Sequence, residues 1–451
     1  MCGIAGIYCY AKKRKVQNQI LEKLGDSMQA RGPDGAGRWL SNDHFVGLAH
    51  RRLSIVDLSN NAAQPMKSCN GELQIVFNGE IYNYRFLRDQ LIRQGVTFES
   101  SSDTEVILKL YERDGLRSLS QLRGMFAFGI WDNRKRRLLL ARDPFGIKPL
   151  YYSDNGADFA FASQVRTLRD AGWHDCEIDP AGVIGFCLWG HVPDPFTPYK
   201  QIKSLPAGAI MQVSPQGIER LEYYSQPLSA LQDPQPIPKN VDYLRECLAE
   251  SVAQHMVADV PVGAFLSAGI DSSVICALAS RQPLAAPLRT VTLGFREYAG
   301  TVNDEVPLAK ESAAMLQTDH VVKQISQADF DVSREKFLTD MDQPSIDGLN
   351  TWFVSRVASE CGLKVALSGL GGDELFGGYP SFQQVPFLAR CFGWIPDIVS
   401  DLATNLLDPI SRIVRRPKVA GLMTHGRSLA GSYFLRRSLF LPEELNSFFS
   451  S

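Results

Sequence analysis

The sequence predicts two α/β units of different kinds: a sheet-rich first half with a few flanking helices, then a doubly wound parallel sheet. Three observations carry this. Short strand candidates outnumber helical stretches in the first half, a proline-rich segment interrupts the chain at residues 226–240, and strand and helix alternate after it. A length of 451 residues fits two or three domains. With 45% apolar and 21% charged residues, the composition excludes a disordered or fibrous chain. Lys+Arg 47 against Asp+Glu 49 leaves a net charge of -2, so no polyanion-binding surface and no nucleic-acid partner are expected.

In chain order, strand candidates fall at residues 3–8, 45–49, 73–78, 126–131, 137–141, 150–152 and 159–162, separated by turn signals such as Asn78-Gly79 and Asp132-Asn133. Helical periodicity appears at 16–30, 85–94 and 104–113, where Val106, Leu108, Leu110 and Tyr111 keep one face apolar. Prolines 227, 234, 236 and 238 block helix and central strand, which predicts a linker at 226–240 between domains 1–225 and 241–451. Beyond it come a helix with Leu244, Leu248, Val252 and Met256 on one face, an apolar run at 260–266, a Ser/Gly loop and a helix at 273–280. The rhythm continues through 290–295, 306–317, 320–325, 351–360 and 365–367. In such a sheet, ligands bind at the carboxyl ends of the strands.

The nine cysteines are scattered, with no CxxC pair and no His partners at zinc spacing, which fits a reducing compartment. The N-terminal MCGIAGIYCYAKKRK puts its apolar run before its basic residues, the reverse of a signal peptide. No apolar stretch approaches the roughly 20 residues of a membrane span, so a cytoplasmic protein with no membrane partner is expected.

Cys2 follows the initiator methionine, and its small side chain permits Met1 to be removed. A mature chain beginning with Cys carries a thiol beside an α-amine that can serve as its base, so no separate triad is needed. Taken alone, Cys2 reads more readily as one more small buried hydrophobe than as a nucleophile. It is followed by Arg31-Gly32-Pro33-Asp34, His50-Arg51-Arg52-Leu53-Ser54-Ile55-Val56-Asp57, Asn78-Gly79-Glu80-Ile81-Tyr82-Asn83 and Ser102-Asp103-Thr104-Glu105. Each has a plain local explanation: Asn78-Gly79 as a type I′ hairpin, Asp103 as a helix cap. In this order, with Phe126-Ala127-Phe128, the run from Arg142 to Tyr151 and Phe161-Ala162-Ser163, they resemble the class II glutamine amidotransferases.

That resemblance implies an N-terminal-nucleophile hydrolase αββα sandwich with Cys2 as nucleophile. Asn78 and Gly79 match the oxyanion site, Arg52 the carboxylate clamp, Asp103 the ammonium partner and Glu80 a further glutamine contact. Leu53, Ser54, Ile55 and Val56 complete the implied glutamine set. The chemistry agrees, because glutamine presents a carboxylate, an ammonium and an amide, which call for a cation, an anion and oxyanion donors.

In the second half, Leu266-Ser267-Ala268-Gly269-Ile270-Asp271-Ser272-Ser273 joins the apolar strand to the next helix. Small residues let backbone N–H groups approach phosphate at a helix N-terminus, though such a turn is also an ordinary connection. It resembles the SGGxDSS pyrophosphate loop of ATP pyrophosphatases, with Ala268 at the second small position. A second loop, Ser368-Gly369-Leu370-Gly371-Gly372-Asp373-Glu374, follows the strand at 365–367. The resemblance implies an ATP site at Leu266, Ser267, Gly269, Asp271, Ser272, Leu293, Ser368 and Gly369, with Mg2+ held by Asp271 and Asp373.

Together the halves resemble the glutamine-hydrolysing asparagine synthetase family, which implies glutamine, ATP and aspartate or another carboxylate as substrates and is compatible with a homodimer. Two departures bear on the acceptor. Leu370 stands where the asparagine makers often carry Glu, and the family's later Arg-Val-Pro-Phe-Leu-Asp segment and catalytic Lys do not occur before Ser451. The expectation is a C-terminally incomplete chain that makes little asparagine by itself and exposes apolar surface at 440–449. Two further readings stay open: the same glutaminase serving a sugar acid, peptide or β-amino acid, and a synthetase-dead protein that binds glutamine or nucleotide.

Overall fold

The computed structural model describes residues 1–225, 240–395 and 417–449. All but the last residue of the predicted linker at 226–240 therefore lies outside the described residues.

The first half contains β1 (Gly3–Tyr8), β2 (Gly35–Leu40), β3 (Val46–Arg52), β4 (Met66–Lys67), β5 (Leu73–Ile81), β6 (Gly124–Asp132), β7 (Arg137–Arg142), β8 (Tyr151–Asp154), β9 (Phe159–Ala162), β10 (Lys203–Ser204), β11 (Ala209–Ser214) and β12 (Gly217–Tyr223). They form two six-stranded sheets, ordered β10-β8-β9-β1-β3-β2 and β12-β11-β7-β6-β5-β4, with antiparallel pairing throughout. Alternation along each strand sorts the side chains. Ile4, Tyr8, Val46, Leu48, Val76, Trp131, Leu140 and Phe161 fill the space between the sheets. The opposite parity of β1 and β3, Ala5, Ile7 and Ala49, packs outward against Leu21, Leu24 and Met28 of α1 (Asn18–Ser27). Ile75, Phe77 and Phe128 meet Leu87 and Leu91 of α2 (Tyr84–Arg93) and Val106 and Leu110 of α3 (Asp103–Asp114). This is the expected αββα sandwich, with α4 (Val165–Ala171) on the α1 side; α5 (Pro180–Trp189) follows it in the chain.

Two local expectations are corrected. Asn78-Gly79 is not a hairpin turn: β5 runs through both residues, which pair with Ala127 and Phe126. A Cβ on Gly79 would lie 2.3 Å from the Met125 carbonyl oxygen, so glycine serves close strand approach rather than a turn. Asp103 is not the cap of α3, because Ser102 is, its hydroxyl accepting the Glu105 N–H at 3.3 Å.

The second half contains α6 (Val241–His255), β13 (Val262–Phe265), α7 (Ile270–Ala279), β14 (Arg289–Phe295), α8 (Val306–Met315), β15 (Asp319–Ile325), α9 (Gln327–Asp340), α10 (Gly348–Glu360) and β16 (Val365–Leu367). The sheet is parallel, in the order β15-β14-β13-β16. The chain steps outward from β13 to β15 and then returns to the other side of β13, so the winding reverses between β13 and β16. Both glycine-rich loops leave the carboxyl ends of these two strands, where an open α/β sheet forms its crevice.

Residues 442–449 are helical; Leu441 and Leu445 are buried, against the exposure expected there, while the side chains of residues 446–449 lie outside the described ones. Gly421 lets Leu435 and Leu441 close over the helix Pro417–His425, a Cβ there lying 2.9 Å from Leu441. No helix among the described residues is long and apolar enough to cross a membrane.

Candidate active site

Strand parity brings the first site together. Cys2 has the parity of Ile4 and Tyr8, Arg52 that of Val46 and Leu48, and Asn78 and Glu80 that of Val76, so all four point into the inter-sheet layer where its apolar filling ends. There they line a cavity of about 280 Å³ together with Leu53, Ile55, Val56, Gly79, Asp103 and Lys148. Ser54 does not line it; its N–H donates to Asp34 Oδ2 at 2.8 Å. Lys364 and, from β16, Val365 and Ala366 close one wall, so the cavity is built by both halves of the chain.

The Cys2 sulfur is held by one residue from both sides, accepting the Leu53 N–H at 3.4 Å and facing the Leu53 carbonyl at 3.6 Å. Arg31 Nε donates to the Cys2 carbonyl at 3.0 Å. Burial pushes the thiol above its ordinary range, opposed by the Leu53 backbone and by the positive charges of the chain amine and Lys148. The same burial lowers the amine at Met1 to about 5. This amine belongs to Met1; the α-amine that would stand beside the thiol as its base is that of Cys2, set free only by removal of Met1.

Asn78 is 1% exposed, and neither its side-chain oxygen nor its nitrogen has a hydrogen-bond partner among the described residues. A buried amide left unsatisfied is costly, and here it opens on the cavity beside Cys2. Glu80 is pushed up to about 7 by burial, against the pull of Lys148. Asp103 is pushed up to about 6 by burial, although its Oδ2 accepts the Ile81 N–H at 3.0 Å. Arg52 donates to the carbonyls of Ser59, at 2.9 Å, and Asp57, which orients its guanidinium along the loop that follows β3. Its neighbour Arg51, of opposite parity, turns to Gly25 and Asp26 at the end of α1.

The second site lies at the reversal of the parallel sheet. Ser272, in the first turn of α7, braces the first loop: its hydroxyl accepts the Ser267 N–H at 3.1 Å and meets the Ser267 hydroxyl at 2.8 Å. The Gly269 N–H donates to Ser267 Oγ at 3.1 Å. The second loop abuts the first, since a Cβ on Gly369 would lie 2.9 Å from the Ser272 nitrogen and one on Gly372 only 2.2 Å from Asp271 Oδ2. Ser368 Oγ accepts the Leu370 N–H at 3.2 Å. Leu266 is buried in the cluster around Val252, Ala264 and Cys276, and Leu293 is half-buried against a second cluster with Val291, Val357 and Leu363. Asp373 turns away toward Gly378, where a Cβ would meet its Oδ1 at 2.0 Å. Among the described residues no cluster of three or more acidic, His or Cys side chains could hold a metal. Ile270 and Leu370 stand out at the mouth of the loops, 81% and 90% exposed.

Sequence reasoning assigned no role to Lys148, although it lies within the quoted run from Arg142 to Tyr151. It also missed Lys364, whose place in the cavity depends on the packing of two distant segments and leaves no local signal.

The family profile described as a glutamine amidotransferase domain matches residues 1–224, and the one described as asparagine synthase matches residues 243–448. Asparagine synthetase (glutamine-hydrolysing) 1 of Bacillus subtilis is 37% identical over 401 residues, covering 88% of this chain and 61% of that protein. The putative asparagine synthetase (glutamine-hydrolysing) 2 of Methanocaldococcus jannaschii is 33% identical over 406 residues, covering 84% of this chain and 76% of that protein. Amidase chry2 of Gibberella zeae is 32% identical over 446 residues, covering 89% and 62%. The chain spans about three-fifths of the length of the first curated relatives it matches.

Proposed function

The chain belongs to the family of glutamine-hydrolysing asparagine synthetases, and from that premise we propose that it hydrolyses glutamine at Cys2 and passes the ammonia to a carboxylate activated by ATP, aspartate being the first candidate acceptor. The observation that carries the reading is the unpartnered Asn78 amide beside the Cys2 thiol. With glutamine bound, the Cys2 sulfur attacks the amide carbon and its proton goes to the leaving nitrogen. The C–N bond breaks to give ammonia and a thioester, and water then releases glutamate. Asn78 Nδ2 and the Gly79 N–H are the donors for the oxyanion. Arg52 meets the α-carboxylate, and Glu80 and Asp103 meet the α-ammonium, which would draw both carboxyls back to their charged form.

The ammonia leaves through a cavity whose wall includes Lys364–Ala366, leading toward the crevice beyond β16. There the acceptor carboxylate attacks the α-phosphorus of ATP, pyrophosphate departs, and ammonia displaces AMP from the acyl-adenylate. Asp271, against which both loops close, fits as the carboxylate for magnesium, a hard cation that takes one or two carboxylates plus phosphate oxygens. Its charge would neutralise the phosphates. Asp373 supports a metal role less well, being directed at Gly378. The domain division at 226–240 and a cytoplasmic location form part of this reading. A different acceptor is favoured by one observation: Ile270 and Leu370 put exposed apolar side chains at the loop mouth.

The test is Cys2→Ala, assayed for glutamate formation and for pyrophosphate release with aspartate and other acids, on glutamine and on free ammonium. Glutaminase activity should vanish while ammonium-dependent pyrophosphate release persists. Retained glutaminase activity would remove Cys2 from the mechanism, and release with another acid but not aspartate would replace the acceptor.

A further inference from the structure

Lys148 has no part in the roles above, yet it lines the cavity with Cys2 and Glu80 and is buried. Its backbone is pinned on both sides. The fully buried Asp143 carboxylate accepts the N–H groups of Phe126 at 3.3 Å, Phe145 at 3.0 Å, Ile147 at 2.9 Å and Lys148 at 2.9 Å. From the other side, Arg142 donates to the carbonyls of Lys148 at 3.0 Å, Gly146 at 2.8 Å and Leu205 at 2.6 Å. Two buried charged side chains thus fix the loop that presents a third. The Lys148 ammonium itself makes no ion pair and no side-chain hydrogen bond among the described residues. A buried cation without a partner is unfavourable, so a loop locked to keep it there points to use of its charge in the cavity.

The charges around Cys2 can be named from each element. Arg31 approaches from the segment after α1, Glu80 from β5 and Asp103 from α3, the Met1 amine, kept neutral at neutral pH by its burial, lies at the N-terminus, and Arg52 and Lys364 line the same cavity. We propose that Lys148 is a positioning residue of the glutaminase reaction, its ammonium favouring the thiolate of Cys2 and the carboxylate of Glu80 at neutral pH. Burial pushes both groups toward their neutral forms, and Lys148 is a positive charge that opposes this at each. Burial in turn lowers the ammonium, which Glu80 and Cys2 help to keep charged, so the three groups support one another. The inference rests on the reading of Cys2 as nucleophile.

The experiment follows alkylation of the Cys2-containing peptide by iodoacetamide across pH, read by mass spectrometry in the full chain, for the parent, Lys148→Met and Lys148→Arg. The Met variant should move the inflection up by about one pH unit and slow alkylation about tenfold below it, as expected for loss of a neighbouring opposite charge. The pH profile of kcat/KM for glutamine should move the same way, and Arg should restore both. If the Met variant does not fold by circular dichroism, Lys148→Gln is read identically. An unmoved inflection, or a change in KM alone, overturns the proposal. Cys2→Ala separates the two readings: an inactive Cys2→Ala with an unmoved Lys148→Met profile sinks only the role of Lys148, whereas an active Cys2→Ala sinks the reading beneath it.

Discussion

At Glu80, burial pushes the carboxyl up to about 7 from an ordinary 4.5, and this links the cavity beside Cys2 to stability. Below about 4.5 the group is protonated in both folded and unfolded chains and costs nothing. As pH rises through 7 the unfolded chain has released a proton that the folded chain retains, so stability falls over that window by about 3 kcal/mol at 1.36 kcal/mol per unit. Asp103, raised to about 6, adds a shift of the same sign. Glu80→Gln should therefore flatten the dependence of melting temperature on pH, matching the parent in acid and melting a few degrees higher near pH 8. It should also raise the KM for glutamine, since a neutral amide cannot answer an ammonium. Thermal melts across pH with and without glutamine check this, and a parent whose stability does not fall above pH 5 would count against the charge assignment.

Among the elements, the strands that pack on both faces were the most legible, because runs such as Gly3–Tyr8 and Phe159–Ala162 are apolar without interruption. What sequence could not show was pairing. Asn78-Gly79 has the composition of a turn, and only the register with Phe126 and Ala127 makes it the centre of a strand. The edge strand β12 carries exposed charged residues, and α9 buries only Ser333, so neither presents a periodic apolar face. The two glycine-rich loops were legible as tight, closely packed turns because their residue types are dictated locally. Ser267 and Ser272 brace one turn, and glycines 369 and 372 fit where side chains would collide with Asp271 and Ser272. Asp271 lies in the first turn of α7, where a carboxylate also complements the helix dipole by about 0.3–1 kcal/mol. Asp271→Asn should thus cost little stability but reduce ATP-dependent pyrophosphate release about a hundredfold, the scale of losing one preorganised electrostatic group. Glutaminase activity should be unchanged. Undiminished release at saturating magnesium would return the loop to an ordinary connection.

In the whole molecule, the loop that follows Arg52 is stitched to the second half. The Asp57 N–H donates to Asp259 Oδ2 at 2.7 Å, and the Asp259 N–H returns to the Ile55 carbonyl at 2.9 Å. Lys364 donates to Asp34 Oδ2 at 2.7 Å, and the same oxygen accepts the Ser54 N–H. Away from the cavity, Asp342 accepts the N–H groups of Val165 and Arg166 at 2.9 and 3.0 Å, and Gln343 donates to Tyr151 at 2.8 Å. The loop that follows Arg52 and its neighbour Asp34 therefore contact residues that run directly into β13 and β16, the strands that carry the two glycine-rich loops. Removing the Asp34–Lys364 pair should leave glutamine hydrolysis nearly intact, because Cys2 and Arg52 are held by other partners and Asn78 by the pairing of β5 with β6, but loosen the wall along the proposed ammonia route. Although burial opposes it, Asp34 is held below its ordinary range by Lys364 and the Ser54 N–H. Its contribution is present at neutral pH and lost only as acid protonates it, below the ordinary 3.8. The pair is partly exposed, and such pairs contribute about 0.2–1 kcal/mol. Lys364→Met should accordingly raise glutamate formed per pyrophosphate released by up to about fivefold at neutral pH, the factor that ~1 kcal/mol supplies. Added ammonium should restore pyrophosphate release without changing glutamate formation. A ratio that stays at the parent value in Lys364→Met would mean that the wall is sealed by Val365 and Ala366 alone and that the ion pair only trims the surface.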